Sequence, residues 1–366
     1  MKNDVKWLLD TMQNSSRGYW AMSQDSVLIE ELLRQFRIGT LGTDSTRRVL
    51  GRLKDMSQRD RFTQFFAKHL SASRSFSERA AWVVFWVFAS AGDSIAQSSH
   101  STENEPELNG AFLKAIEFEA RRLKPAMRSK SASDCIAVAL LNLAKLGNEA
   151  RTGADFGMVM EIEVEGRRNF LISHFQAKRA NSPSISIDRK AGTSTQLDRL
   201  CEHGYGRYLF YNQLNHPTGL LPTTKSAELI KNELALRAEL EGSKTVSSIW
   251  MADDLATSVA NAVAIGAAAL RQSPDGRQPW QFGYRYVAEM DSAIDLLFPL
   301  NKPDLAVSQL LVARVGERRY EPSDIASMRS EWEEALGRRA ATFAARGTDS
   351  SLHINEDDDR LPPLKF

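Results

Sequence analysis

The feature that most constrains the fold is a pair of apolar segments joined by a two-residue turn. Residues 156–164 alternate, and because strand residues two apart point to the same side, one face carries only apolar side chains: Phe156, Met158, Met160, Ile162 and Val164. The second segment covers residues 170–178. Glu165 and Gly166 between them form a turn sequence of the kind that closes a β-hairpin. This pattern predicts two adjacent antiparallel strands near the middle of the chain.

Polar side chains interrupt the hairpin at its open end. Asp155 comes directly before the first strand, and Gln176 and Lys178 lie near the end of the second. Gln176 and Lys178 are two residues apart, so they project from the same face of the strand. We therefore expect the three side chains to lie close enough together to share a ligand.

Composition argues against several other classes of protein. The 47 Lys and Arg almost balance the 46 Asp and Glu, so net charge alone indicates no particular partner. Two cysteines, Cys135 and Cys201, are too few for a disulfide framework or a thiolate zinc site. The most apolar run, at 80–92, is too short to cross a bilayer, and the first residues lack the apolar core of a signal peptide. These observations predict a soluble, cytoplasmic protein with no membrane association.

The elements around the hairpin predict a mixed α/β architecture. Apolar residues recur at helical spacing in four early segments: 26–56, 58–70, 75–91 and 110–123. The stretch 92–110 is polar and predicts a loop, and a helix is expected at 132–146. Helices and strands then alternate after the hairpin: a helix at 194–203, a strand at 207–212, a helix at 226–240, a strand at 245–251 and a helix at 253–271. This order predicts a mixed sheet of about four or five strands with helices on its faces.

Four regions are expected along the chain. They are a helical N-terminal region at 1–125, a core containing the hairpin at 126–275, a C-terminal α/β or helical extension at 276–349, and a mobile acidic tail at 350–366.

The ordered polar residues resemble the signature of the PD-(D/E)xK nuclease superfamily. In that signature an acidic residue near a helix end and an Asp at a strand start precede an acid-x-Lys motif on the next strand. Glu149 and Asp155 are similar to the first half. Gln176-Ala177-Lys178 is similar to the second half, in the Q-x-K form of phage-defence and modification-dependent restriction endonucleases. The resemblance covers roughly residues 132–215 and implies that the core is a restriction-endonuclease-like mixed sheet flanked by helices.

The resemblance implies metal-dependent hydrolysis of DNA, with catalytic roles for Asp155, Gln176, Lys178 and Glu149. Oxygen ligands of a kind that suits Mg²⁺ or Mn²⁺ would come from four residues: Asp155, Gln176, the Ala177 carbonyl and Glu149. Lys178 would orient the attacking water and offset charge on phosphorus. Four residues after the Gln-x-Lys motif would contact the nucleic acid: Arg179, Arg189, Lys190 and Gln196. A solvated helix face is an equally open interpretation of the three basic residues.

Structural roles remain open for each of these residues taken singly. Asp155 could cap a turn, and Lys178 could lie at the strand end with its ammonium group in water. Gln176 could form hydrogen bonds with backbone groups at a sheet edge. His174, on the same face as Gln176, is expected to be a hydrogen-bonded structural residue.

Three functions follow from these alternatives. The first is an endonuclease in restriction or anti-phage defence, with DNA as substrate and RNA left open. The second is a nuclease-fold module that binds nucleic acid or regulates with little or no catalysis, and the third is a helical scaffold with an unrelated α/β domain. A DNase that is always active would be toxic to its host, so the first function also predicts a homo-oligomer or a sensor partner protein that controls it.

Overall fold

An open, mixed β-sheet with helices packed against it forms the centre of the protein, as the predicted α/β class requires. The computed structural model describes residues 41–98, 104–123, 136–143, 154–182, 184–187, 190–191, 194–212, 221–272, 279, 281, 283–299, 307–316 and 320–350.

The strands and helices are numbered in chain order. The strands are β1 (Ile136–Asn142), β2 (Phe156–Val164), β3 (Arg167–Ala180), β4 (Ser184–Ser186), β5 (Lys190–Ala191), β6 (Ser194–Thr195), β7 (Gly206–Asn212), β8 (Thr223–Ser226), β9 (Thr245–Ser247), β10 (Asp253–Asp254), β11 (Arg285–Val287) and β12 (Gln309–Gly316). The helices are α1 (Asp44–Arg52), α2 (Gln58–Arg61, continued as a π-helix over Phe62–Leu70), α3 (Arg79–Ser98), α4 (Glu105–Arg122), α5 (Gln196–Glu202), α6 (Ala227–Glu241), α7 (Leu255–Gln272), α8 (Met290–Leu297) and α9 (Pro322–Ser350).

Among the described residues eight strands form the main sheet, rather than the four or five that the sequence predicted. Their order is β1-β12-β2-β3-β7-β8-β10, and β11 pairs with β3. The β12–β2 and β3–β7 pairs are parallel, and the other pairs are antiparallel. One face packs against α3, α4 and α7, and the other against α5, α6, α8 and α9.

The predicted hairpin is confirmed. Strands β2 and β3 are antiparallel, with Phe156 opposite Phe175 and Val164 opposite Arg167. Glu165 and Gly166 both adopt the left-handed conformation, with φ of 51° and 73°. A two-residue turn of that hand matches the twist of the strands it joins, so the turn sets the register of the hairpin.

The helix expected at 132–146 is wrong, because residues 136–142 form strand β1. Side chains of β1 alternate between the two faces: Ile136 and Val138 belong to one apolar core, and Ala137 and Ala139 to the other. A strand buried on both faces is apolar at nearly every position, so helical and strand spacing cannot be told apart in so short a run.

Two further expectations need correction. The stretch 92–110 is not one loop, because α3 continues to Ser98 and α4 begins at Glu105. The strand expected at 245–251 is limited to β9. The described part of the N-terminal region is helical, as predicted, and no helix among the described residues is long and apolar enough to cross a membrane.

Candidate active site at the open end of the hairpin

The site lies where β3 continues past the beginning of β2. Residues 176–180 of β3 pair with β7 on one side, whereas β2 on the other side begins opposite Phe175. Asp155 is the residue before β2, and its N–H donates to the Phe175 carbonyl at 2.8 Å. The register thus brings the predicted aspartate, Gln176 and Lys178 to one end of the sheet.

One carboxylate oxygen of Asp155 accepts hydrogen bonds from three donors. Its Oδ2 is 2.7 Å from the Ala177 backbone nitrogen, 2.9 Å from Gln176 Nε2 and 3.2 Å from Asn109 Nδ2. A buried N–H without an acceptor is costly, so the bond to Ala177 stabilises the strand end directly. Asp155 therefore has a structural role at the strand end, in addition to any role in binding a ligand.

Glu105, the first residue of α4, covers the next N–H along the same edge of β3. Its Oε1 accepts from the Arg179 backbone nitrogen at 3.1 Å, and its Oε2 lies 3.5 Å from Lys178 Nζ. The N–H groups of Ala177 and Arg179 are two residues apart, which separates them by about 6.6 Å along the strand. The carboxylates of Asp155 and Glu105 are thus placed one after the other along the unpaired edge.

Lys178 is the charged group of the site with the fewest polar contacts to described residues. Its side chain is 7% exposed, and the contact with Glu105 is its one polar interaction with a described residue. An ammonium group has three N–H donors, and a buried charge is stable only when it is paired and hydrogen-bonded. The fold therefore holds a nearly buried cation in position with a single polar contact among the described residues.

The amide of Gln176 presents its nitrogen, not its oxygen, to the predicted ligands. Nε2 donates to Asp155 Oδ2 at 2.9 Å and to the Ala177 carbonyl at 3.2 Å. Because both neighbours are acceptors, only the nitrogen is compatible with this position. Two of the predicted cation ligands thus converge on a point that the Gln176 amide nitrogen occupies.

A second set of contacts fixes the orientation of Asp155. Asn109, which donates to the aspartate, accepts from the Tyr211 hydroxyl at 2.8 Å. Burial, and then the charge of Asp155, raise the pKa of Tyr211, so the phenol stays protonated and remains a donor. Asn109 and Glu105 are four residues apart on α4 and so lie on one face of the helix.

Glu105 and Asn109 are the site residues that sequence reasoning missed. They lie in the stretch 92–110 that was expected to be a loop. A signal was present, because Asn104 and Glu107 form a capping box that marks the start of α4. That box places Glu105 in the first turn of a helix, but only the tertiary structure brings it to Lys178.

The remaining predicted residues are Glu149, Arg189, Lys190, Gln196 and Arg179. Glu149 and Arg189 lie outside the described residues. Lys190 belongs to β5. Gln196 begins α5, and its buried Oε1 has no hydrogen-bond partner among the described residues. Arg179 contributes its backbone N–H to Glu105.

The Nε2 atom of His174 lacks the hydrogen bond that was expected of a structural histidine. Its ring is buried, and it makes no hydrogen bond with a described residue. The ring packs against Tyr205 at 5.0 Å and His203 at 6.4 Å between centroids. Burial, and then the charge of His203, lower the pKa of His174 to about 3, so the imidazole is neutral near pH 7.

The donor set suits a hard cation that keeps much of its water. In the described part of the chain, no three His, Cys, Asp or Glu side chains gather as a metal site. Asp155 offers a carboxylate and Ala177 a carbonyl, with the Glu105 carboxylate farther along the edge. Mg²⁺ is commonly held through one or two carboxylates and several waters, so these residues fit Mg²⁺ better than they fit zinc.

Comparisons with known proteins add no relative. No family model, no curated protein and no solved structure matches the chain.

Proposed function

We propose that the protein is a metal-dependent endonuclease that hydrolyses phosphodiester bonds of DNA. The observation that carries this proposal is Lys178, a nearly buried ammonium whose one polar contact with a described residue is an ion pair with Glu105 at 3.5 Å. It lies two residues along β3 from Gln176, which donates to Asp155. A buried charge that has one polar contact among the described residues is explained better by a catalytic role than by a role in stabilising the fold. The resemblance to the Q-x-K nucleases favours a role in restriction or anti-phage defence.

Each residue of the site has a distinct part in this reaction. A bound Mg²⁺ or Mn²⁺ would polarise the phosphate and acidify a water. Asp155 and the Ala177 carbonyl would hold the cation, with Glu105 in the role that the sequence suggested for Glu149. Lys178 would place its positive charge beside the phosphate oxygens, where negative charge increases during attack. The Asn109 bond keeps the Asp155 carboxylate in one orientation.

A second candidate is a nuclease-fold module that binds nucleic acid with little or no catalysis. The observation that favours it is the internal satisfaction of Asp155, whose Oδ2 accepts from three protein donors. Such an arrangement is stable without a cation. This candidate predicts that the protein retards DNA in a gel and leaves it intact in Mg²⁺ or Mn²⁺.

The deciding experiment replaces Lys178 and measures cleavage and binding separately. Lys178→Met keeps most of the buried volume and removes the charge. Supercoiled plasmid and a single-stranded RNA are incubated with Mg²⁺, Mn²⁺ or EDTA. We expect the wild type to cut DNA only with a divalent cation, and the variant to turn over about a hundred- to thousand-fold more slowly, since one electrostatic donor is lost.

Gel retardation should be nearly unchanged in Lys178→Met, because the lysine acts mainly on charge that develops during the reaction. Lys178→Arg should not restore turnover, since a planar guanidinium places its charge differently. The matched control is Lys231→Ala, whose side chain is 60% exposed on α6. Near wild-type cutting by Lys178→Met would show that the lysine is structural. Binding without cutting by the wild type would support the second candidate.

A further inference from the structure

The amide of Gln176 occupies the position that a cation would take. Its nitrogen lies 2.9 Å from Asp155 Oδ2 and 3.2 Å from the Ala177 carbonyl oxygen. The side chain is buried, at 2% exposure. The NH₂ group donates one hydrogen bond to each of these two oxygens. A bound cation would contact the same two oxygens.

The oxygen of the same amide differs from its nitrogen in its contacts with the described residues. The oxygen of Gln176 accepts no hydrogen bond from a described residue, although its nitrogen donates two. The last torsion of a glutamine side chain has a broad, roughly two-fold profile, so a half-turn that exchanges nitrogen and oxygen is accessible. With the oxygen turned inward, two oxygen groups would face Asp155 Oδ2, and only a cation between them would make that orientation stable.

We propose that Gln176 is a two-state switch that sets the cation dependence of the site. In the first state the amide nitrogen is bonded to Asp155 and to the Ala177 carbonyl, and no cation is bound. In the second state the amide has turned, and its oxygen joins those two groups as a ligand. Cation binding therefore requires the loss of two hydrogen bonds, which weakens the affinity of the wild type. This inference rests on the cation site of the proposed function.

The test is Gln176→Glu, measured by Mn²⁺ calorimetry and by thermal unfolding. A carboxylate opposite Asp155 cannot donate a hydrogen bond, and like charges directly opposed on neighbouring strands are destabilising. We expect a lower Tm than the wild type in EDTA, and a larger rise in Tm on adding Mn²⁺. Because ligand charge tunes the affinity of oxygen sites over orders of magnitude, Mn²⁺ should bind about tenfold tighter or more. The matched control is Gln272→Glu, an exposed residue at the end of α7.

A second measurement follows the amide itself. The side-chain NH₂ resonances of Gln176 are assigned by their loss in Gln176→Met, and the wild type is titrated with Mg²⁺. A shift of this pair at the concentration at which the cation binds supports the switch. This readout does not depend on the folding of Gln176→Glu.

The outcomes separate the switch from the proposed function. Equal Mn²⁺ affinity in the wild type and Gln176→Glu, or cation binding with unchanged Gln176 resonances, would overturn the switch and leave the nuclease proposal in place. Absence of Mn²⁺ binding in both proteins, together with intact plasmid in the cleavage assay, would overturn both proposals.

Discussion

Asp155 illustrates how one residue can serve the backbone and the chemistry together. The sequence analysis weighed a turn cap against a metal ligand, and the structure gives the aspartate a cap-like bond to the Ala177 N–H. That bond does not decide against a catalytic role, because a carboxylate oxygen held by N–H donors is also well oriented for a ligand. Lys178 differs, since its one polar contact with a described residue is the ion pair with Glu105 at 3.5 Å, and no described backbone group depends on its side chain.

The buried imidazole of His174 predicts a dependence of stability on pH. Its folded-state pKa of about 3 lies below the ordinary value of 6.5. Between these values the unfolded chain binds a proton that the folded chain does not. Stability is therefore fully present above pH 6.5 and is lost as the pH falls, by up to about 1.4 kcal/mol per pH unit. His174→Leu should remove this contribution to the slope.

The measurement is the free energy of unfolding by urea between pH 6.5 and pH 5, in EDTA. In this range most carboxylates stay ionised in both states, so their contribution is small. The slope of the wild type should exceed that of His174→Leu. Equal slopes in the two proteins would mean that the ring is accessible to protons in the folded state.

At the scale of the elements, the sequence predicted the hairpin well and its surroundings less well. The hairpin could be predicted because local features of the sequence determine it. These are the alternation along each strand and a turn of two residues with positive φ. Strand β1 was missed because its apolar run carries no period of its own. Helix α4 was placed too late, although Asn104 and Glu107 mark its start. The consequence was that Glu105 went unnoticed, and the role predicted for Glu149, which lies outside the described residues, stays a prediction.

The first turn of α4 offers a test of whether Glu105 acts by charge or by capping. Glu105→Gln keeps an oxygen that can accept the Arg179 N–H, and it removes the one ion pair of Lys178 found among the described residues. If charge matters, the buried ammonium loses its partner, and the free energy of unfolding should fall by about 1–3 kcal/mol. Turnover should fall as well, because Lys178 is no longer held in place.

The matched control is Glu107→Gln, two residues along the same helix. Glu107 is exposed and accepts from the Asn104 N–H in the capping box, a role that glutamine also fills. We expect a change of less than about 0.5 kcal/mol for this control. If Glu105→Gln changed stability and turnover no more than the control does, Glu105 would be a backbone cap alone.

At the scale of the whole molecule, the sheet depends on a strand from the C-terminal part of the chain. Strand β12 lies between β1 and β2, parallel to β2, so both neighbours pair with it along their length. No local pattern in the sequence indicates this insertion, because a parallel pairing between distant segments depends on the packing of the finished fold. Strand β2, which begins directly after Asp155, is therefore supported by residues more than 140 positions away in the chain, as with Leu310 opposite Gly157.

A buried ion pair links β12 to β2. Removing this pair tests whether the stability of the sheet depends on it. Arg314 of β12 donates to Glu161 of β2 at 2.7 Å and to Glu331 of α9 at 3.0 Å, and Glu161 is 1% exposed. Arg314→Leu leaves a buried carboxylate with only the half-exposed Arg168 at 3.1 Å. The free energy of unfolding should fall by about 3–5 kcal/mol, as it does when one partner of a buried pair is removed. The double variant with Glu161→Leu should recover most of that loss, because no charge is then left buried.

Arg338→Leu is the matched control for this experiment, since its pair with Glu334 on α9 is exposed on both sides. Exposed pairs contribute about 0–1 kcal/mol, so this variant should unfold nearly as the wild type does. Cleavage and Mn²⁺ affinity are measured on the same preparations. If β12 supports the strand that presents Asp155, Arg314→Leu should lose cleavage in proportion to its unfolded fraction, and the double variant should regain both together. A stable Arg314→Leu protein would instead show that pairing and packing hold β12 in the sheet without the charges.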